Sequence, residues 1–112
     1  MITGIRLKEK SEKFSRIIRG ISQAHRLGIV YILAHKQMEA HDIARNIDLP
    51  ENLVSHHLKL MFTSGWVTKT RIGRNMMYEL NPRILKALMK YFEGTPLARK
   101  VIFKDPLREK YS

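Results

Sequence analysis

The chain has no cysteine among its 112 residues, which excludes a disulfide framework, a zinc knuckle and thiol redox chemistry. Proline and glycine are sparse, at four and six. No Gly/Ser-rich linker or internal repeat divides the chain. Long apolar runs are missing too. The longest, Ile29–Ala34, falls far short of the roughly 20 residues that cross a bilayer. Met1–Lys10 is basic but lacks the apolar centre of a signal peptide. The expectation is therefore no membrane partner and a cytoplasmic address. Carboxylates are scarce, 10 against 21 Lys and Arg. With no triad and no glycine-rich phosphate loop either, the sequence does not read as an enzyme and implies no cofactor.

What is present is positive charge, a net +11 on a chain long enough for one domain and a modest core. Such an excess points to a polyanionic partner, most often nucleic acid; the bland alternative is a solvated, self-repelling surface. The charge is unevenly spread. Residues 1–20 carry +4, residues 21–65 are neutral, residues 66–81 carry +2 and residues 82–112 carry +5.

Hydrophobic periodicity predicts a first helix over about Ser11–Gly20, with Phe14, Ile17, Ile18 and Ile21 on one stripe. A second, about Gln23–His35 with Ser22 as N-cap, is apolar most of the way round and is expected to be the most buried. After a connection at Lys36–Glu39, a brief helix over Ala40–Asn46 turns Ile43 and Ala44 inward. Asn46–Leu49 breaks it, since Asn and Asp tolerate left-handed backbone. Pro50 opens the next helix, Pro50–Ser64, whose core stripe is Val54, Leu58 and Met61 and which Gly65 ends. Two short helices joined by a tight turn make a helix-turn-helix.

Trp66–Ile72 then reads as a strand and Gly73–Arg74–Asn75 as a turn, with Gly and Asn supplying positive φ. Met76–Leu80 is the return strand, with Met76, Tyr78 and Leu80 on one face. A hairpin in this place is a wing. Asn81–Pro82 starts a last helix, to about Glu93, and Gly94–Thr95–Pro96 stops it. The expected organisation is a mainly α winged helix-turn-helix domain over residues 1–96, with a small antiparallel hairpin, and a basic tail over 97–112.

Asn52, Ser55, His56 and Lys59 share the outer face of the second helix of the motif. Asn reads adenine through two hydrogen bonds, Ser and His reach base edges or phosphate, and Lys suits phosphate or guanine. His57 is open between a phosphate contact and a half-buried packing residue. Glu51 at the helix start favours the helix dipole, or reads cytosine. Lys69, Arg71 and Arg74 give the wing three cations, the first two as backbone clamps, and Arg74 for a minor groove or a phosphate. The stripes Phe14, Ile17, Ile18, Ile21 and Leu85, Leu88, Met89, Phe92 exceed what so small an interior covers, so a homodimer interface is expected there. The five histidines show no i, i+4 pairing with a carboxylate partner, and no metal site is expected.

From about Phe14 to Glu93 the chain resembles the arsenic-repressor-type (ArsR-type) winged-helix transcriptional regulators. Arg26-Leu27 with Ile29-Val30, Ile43-Ala44, Val54-Ser55-His56-His57-Leu58 with Met61, Gly65-Trp66-Val67, Gly73-Arg74, and Tyr78-x-Leu80-Asn81 follow the family pattern in order. The resemblance implies a homodimer built on the first and last helices, with two recognition helices in successive major grooves of double-stranded DNA. The family's metal sensors use cysteines, or Asp and His pairs on the last helix. Here there is no cysteine, and Asn81–Glu93 contains neither Asp nor His, so no metal is expected at those sites. Asp48 stands where the turn usually has Gly, and Pro50 where Ser often caps. Together these readings imply a sequence-selective DNA-binding regulator, a repressor by operator occupancy. The rival readings are an architectural, nucleoid-type protein with little sequence preference and a winged-helix protein-interaction module.

Overall fold

The computed structural model describes the backbone of residues 1–103 and the side chains of residues 1–100; residues 104–112, the distal part of the expected tail, lie outside the described residues. The helices are α1 (Gly4–Arg19), α2 (Ala24–Leu33), α3 (Ala40–Ile47), α4 (Glu51–Thr63), α5 (Pro82–Phe92) and α6 (Pro96–Phe103). The strands are β1 (Met38–Glu39), β2 (Val67–Ile72) and β3 (Asn75–Leu80). They form a three-stranded antiparallel sheet in the order β1-β3-β2. The mainly helical winged architecture is as the sequence reading has it. No helix among the described residues is long and apolar enough to cross a membrane.

The core lies where α2, α3 and α4 meet the sheet. Ile29, Ile43, Val54, Leu58 and Met61 are fully buried, and Trp66 and Val67 nearly so. Each such side chain contributes about 1.5–3 kcal/mol by leaving water. Ile43 and Ala44 pack inward as expected, and the α3–α4 turn is set by Asp48. Its backbone is left-handed, φ 59° and ψ 52°, and Leu49 N–H closes the turn on Ala44 O at 3.1 Å. Asp is among the few residues that tolerate this conformation.

Trp66 joins the wing to α1, its indole N–H donating to Ile17 O at 2.6 Å. The two regions meet closely at Gly20, where an added Cβ would lie 2.6 Å from Ser64 Oγ and 2.9 Å from Trp66 Cδ1. Only a residue without a side chain fits that contact. Asn81 fastens the other end of the hairpin. Its amide donates to Gly65 O at 2.9 Å, and its Oδ1 accepts from Arg83 N–H at 3.1 Å as the N-cap of α5.

Several elements differ from the sequence expectation. The first helix starts at Gly4 rather than Ser11. Its early turns carry charged helix formers, which have propensity but no apolar stripe to reveal them. Ser22 is not the cap of α2: Gln23 is, its Oε1 accepting from Arg26 N–H, while Ser22 Oγ donates back to Arg19 O. The α2 helix is central but not enclosed, for Leu27 and Tyr31 are exposed. The α4 helix runs Glu51–Thr63, inside the expected Pro50–Ser64, with Pro50 as N-cap. Strand β1, two residues in the expected connection, pairs Met38 with Tyr78 and Glu39 with Met77. So short a strand has no period to read; only its pairing defines it. In the wing turn Gly73 alone takes a positive φ (64°), and Asn75 is already paired with Ile72 in the ladder. That is the Gly-first pattern of a two-residue hairpin turn. Finally, α6 occupies the start of the expected tail, with Thr95 Oγ1 accepting from Ala98 N–H as its cap and Pro96 in its first position.

Candidate nucleic-acid interface

The recognition candidate, α4, carries two interleaved stripes. Val54, His57, Leu58 and Met61 form the inner one and are all buried. Asn52, Ser55, His56 and Lys59, spaced i, i+3, i+4, i+7, form the outer one and are all exposed. The structure therefore gathers four of the five expected helix residues on one free face. The exception is His57, only 6% exposed, and it is not available to touch a phosphate. The open choice resolves in favour of packing, because a residue three after Val54 and four before Met61 shares their face.

The wing stands beside that face. In the hairpin register Lys69 lies opposite Tyr78 and Arg71 opposite Met76, while Val67 pairs with Leu80. Residues 67, 69 and 71 thus share the side on which Val67 enters the core. Lys69 shows the direction, since its Nζ sits 4.5 Å from the centre of the Phe62 ring at the end of α4. Arg71 and Arg74 are exposed, Arg74 in the turn at the tip. The ion pairs among the described residues involve only Glu39, His41, Asp42 and Arg45. Lys59, Lys69, Arg71 and Arg74 are therefore uncompensated by any neighbouring carboxylate there. A solvated helix face carrying amide, hydroxyl and imidazole groups, flanked by unpaired cations, can hydrogen-bond base edges and neutralise phosphates together.

Comparison with known proteins decides the family. The model of the arsR family of bacterial regulatory proteins matches residues 24–69. The HTH-type transcriptional regulator Rv2034 of Mycobacterium tuberculosis is 32% identical over 73 residues, covering 65% of this chain and 68% of that protein. This chain belongs to the arsR family.

A second relative, the HTH-type transcriptional repressor SmtB of Mycobacterium tuberculosis, is 32% identical over 73 residues, 65% of this chain. The match covers 54% of that repressor, so the chain spans about half its length. The solution structure of the homodimeric winged helix-turn-helix DNA-binding domain of Mb0332 from Mycobacterium bovis is similar in fold. Its TM-score is 0.64 at 19% identity, with 89% of this chain and 91% of that one covered.

The expected dimer residues of this arsR-family chain divide. Phe14 is buried within the protomer, its ring 4.8 Å from that of Tyr91, whose hydroxyl hydrogen-bonds Ser11 at 2.8 Å. It is not free to meet a partner. Ile17, Ile21 and Leu88 are half-buried against the core. Ile18, Leu85, Met89 and Phe92 are exposed, by 43%, 40%, 64% and 53%. Sequence reading missed one cluster. His41 lies between Glu39 and Asp42, Nδ1 to Glu39 at 3.1 Å and Nε2 to Asp42 at 3.3 Å, and all three are metal-ligating types. Its two ring nitrogens face different carboxylates, and one ligand atom from each of the three residues lies within 4.8 Å of the others. The missed signal was two carboxylates within two residues of a helix-start histidine.

Proposed function

We propose that this protein is a double-stranded DNA-binding transcriptional regulator that works as a homodimer and represses by occupying its operator. One observation carries the reading: the exposed Asn52–Ser55–His56–Lys59 stripe lies beside a wing whose Lys69, Arg71 and Arg74 have no acid partner among the described residues. Asn52, Ser55 and His56 read bases, while Lys59, Lys69, Arg71 and Arg74 hold phosphates. Relatives described as repressors support the direction of control. The dimer rests on the exposed apolar residues of α1 and α5 and on the homodimeric Mb0332 domain. The described chain is also drawn out, with a radius of gyration of 16.4 Å against about 13 Å for a compact domain of this length. Projecting helices of that kind suit a shared interface.

Selection of bound sequences from a random duplex pool, near physiological salt, tests the reading. A regulator enriches a palindrome with half-sites about one helical turn apart, and its affinity falls steeply as salt rises. Equal affinity for random and selected duplex would instead favour an architectural role, and no salt-sensitive binding a protein-interaction module.

A further inference from the structure

Behind the reading face of α4 lies a cluster made entirely of bases. The buried His57 ring presents Nδ1 to Arg26 Nη1, 3.4 Å away across the α2–α4 contact. His25, also on α2, stands edge-on to the same ring at 5.4 Å between centres, and His56 lies 6.0 Å away on the solvent side. No carboxylate pairs with any of the four among the described residues. We propose that Arg26 and His57 are positioning residues that lock α4 against α2, and that acid opens this lock and weakens the hold on DNA. The inference rests on the DNA-binding reading above.

The chemistry is set by what each group can donate. A guanidinium only donates, so the contact exists only while His57 Nδ1 accepts, which makes the ring neutral with its proton on Nε2. Adding a second proton turns Nδ1 into a donor that faces a donor. The other nitrogen offers no relief, because Nε2 is buried with no hydrogen-bond partner among the described residues, like His25 Nδ1 and Arg26 Nε. The imidazolium would have two N–H groups and no acceptor for either. Burial first, then the charges of Arg26, His25 and His56, push the His57 pKa below its ordinary value of 6.5. A histidine lowered in this way contributes stability that is complete above 6.5 and is lost as pH falls through the window beneath it. What is lost is the seat of α4, and with it the placement of Asn52, Ser55 and His56. His56 is exposed on the DNA face, so a useful test must leave it in place in both proteins compared.

The variant His57→Asn does so, since its amide oxygen accepts from Arg26 but does not titrate, while His56 stays. Dissociation constants for a selected duplex are measured by fluorescence anisotropy between about pH 7.5 and about pH 5.5. The ratio of wild-type to His57→Asn dissociation constants should rise at least about threefold as pH falls. The thermal midpoint of the wild type should also fall more than that of the variant. A ratio that stays flat, as a purely structural role would leave it, overturns the proposal. Should His57→Asn not fold, nitrogen-15 NMR of the wild-type ring decides. The Nε2–H tautomer, losing neutrality only below pH 6.5, supports the lock; the Nδ1–H tautomer or titration above that value overturns it. A protein that binds no duplex at about pH 7.5 overturns the DNA reading and its acid control together, and the ring's tautomer then still reports on the lock itself.

Discussion

The helices α4 and α5 are both amphipathic, of 13 and 11 residues, yet they use their apolar faces in opposite ways. Val54, Leu58 and Met61 of α4 have no exposed surface, whereas α5 has no buried residue at all, and Met89 and Phe92 are more than half exposed. Periodicity tells that a helix has an apolar face, not what covers it. For α4 the cover is its own protomer: α2, α3 and the start of β2. For the outer part of α5 no segment of the described chain supplies it, and a second copy is the occupant that the proposed function requires.

The contrast can be broken most severely at the core. Leu58→Ala, at a site with no exposed surface, should cost about 2–5 kcal/mol in urea unfolding through lost burial and the cavity left behind. A loss under about 1 kcal/mol would mean that α4 is not seated as described. Changing Met89 and Phe92 together to Glu should instead leave the protomer's helical circular dichroism intact while shifting sedimentation from dimer to monomer. The dissociation constant should rise at least about a hundredfold, because charges would replace the apolar centre of the contact. A double variant that remains dimeric places the interface elsewhere. On the DNA side, Arg74→Ala should weaken binding about three- to tenfold for all sequences alike and flatten the slope of log affinity against log salt by about 0.9. Asn52→Ala should relax preference at one base position, and uniform weakening instead would remove its reading role. The smallest change is a gain. Asp48→Gly, at the left-handed α3–α4 turn, should stabilise by about 0.5–1 kcal/mol. It relieves the strain of a side chain at positive φ and removes a carboxylate from the negative end of a helix. A lowered thermal midpoint would contradict that account.

Much of the exposed outer face of α4 was legible in advance because it depends on spacing alone. Asn52, Ser55, His56 and Lys59 fall on one side of any helix that buries Val54, Leu58 and Met61. The same spacing assigns His57 to the inner side, and the family pattern, which has a histidine there, left its role open rather than excluding it. Other features were invisible for a physical reason. Strand β1 exists only as a partner of Tyr78 and Met77 in β3. Phe14 is taken up by Tyr91, 77 positions away in the sequence, and no local pattern announces that pairing. The cap of α6, Thr95 before Pro96, is local, yet the same residues also spell the end of α5, so the sequence alone does not separate a stop from a new start.

The sequence by itself determined the order of elements, the helix break within Asn46–Leu49, the wing after α4, the apolar and polar sides of each helix, and the uneven distribution of charge. These follow from the preferences of a few neighbouring residues and from helix and strand periods. Only the tertiary structure decided which apolar faces are covered, that β1 completes the sheet, that Arg26 meets His57, and that the cations of the wing lack acid partners among the described residues. Those facts depend on groups far apart in the chain meeting in space. A contact between α2 and α4 is set by packing of the whole core and leaves no periodic trace in either helix.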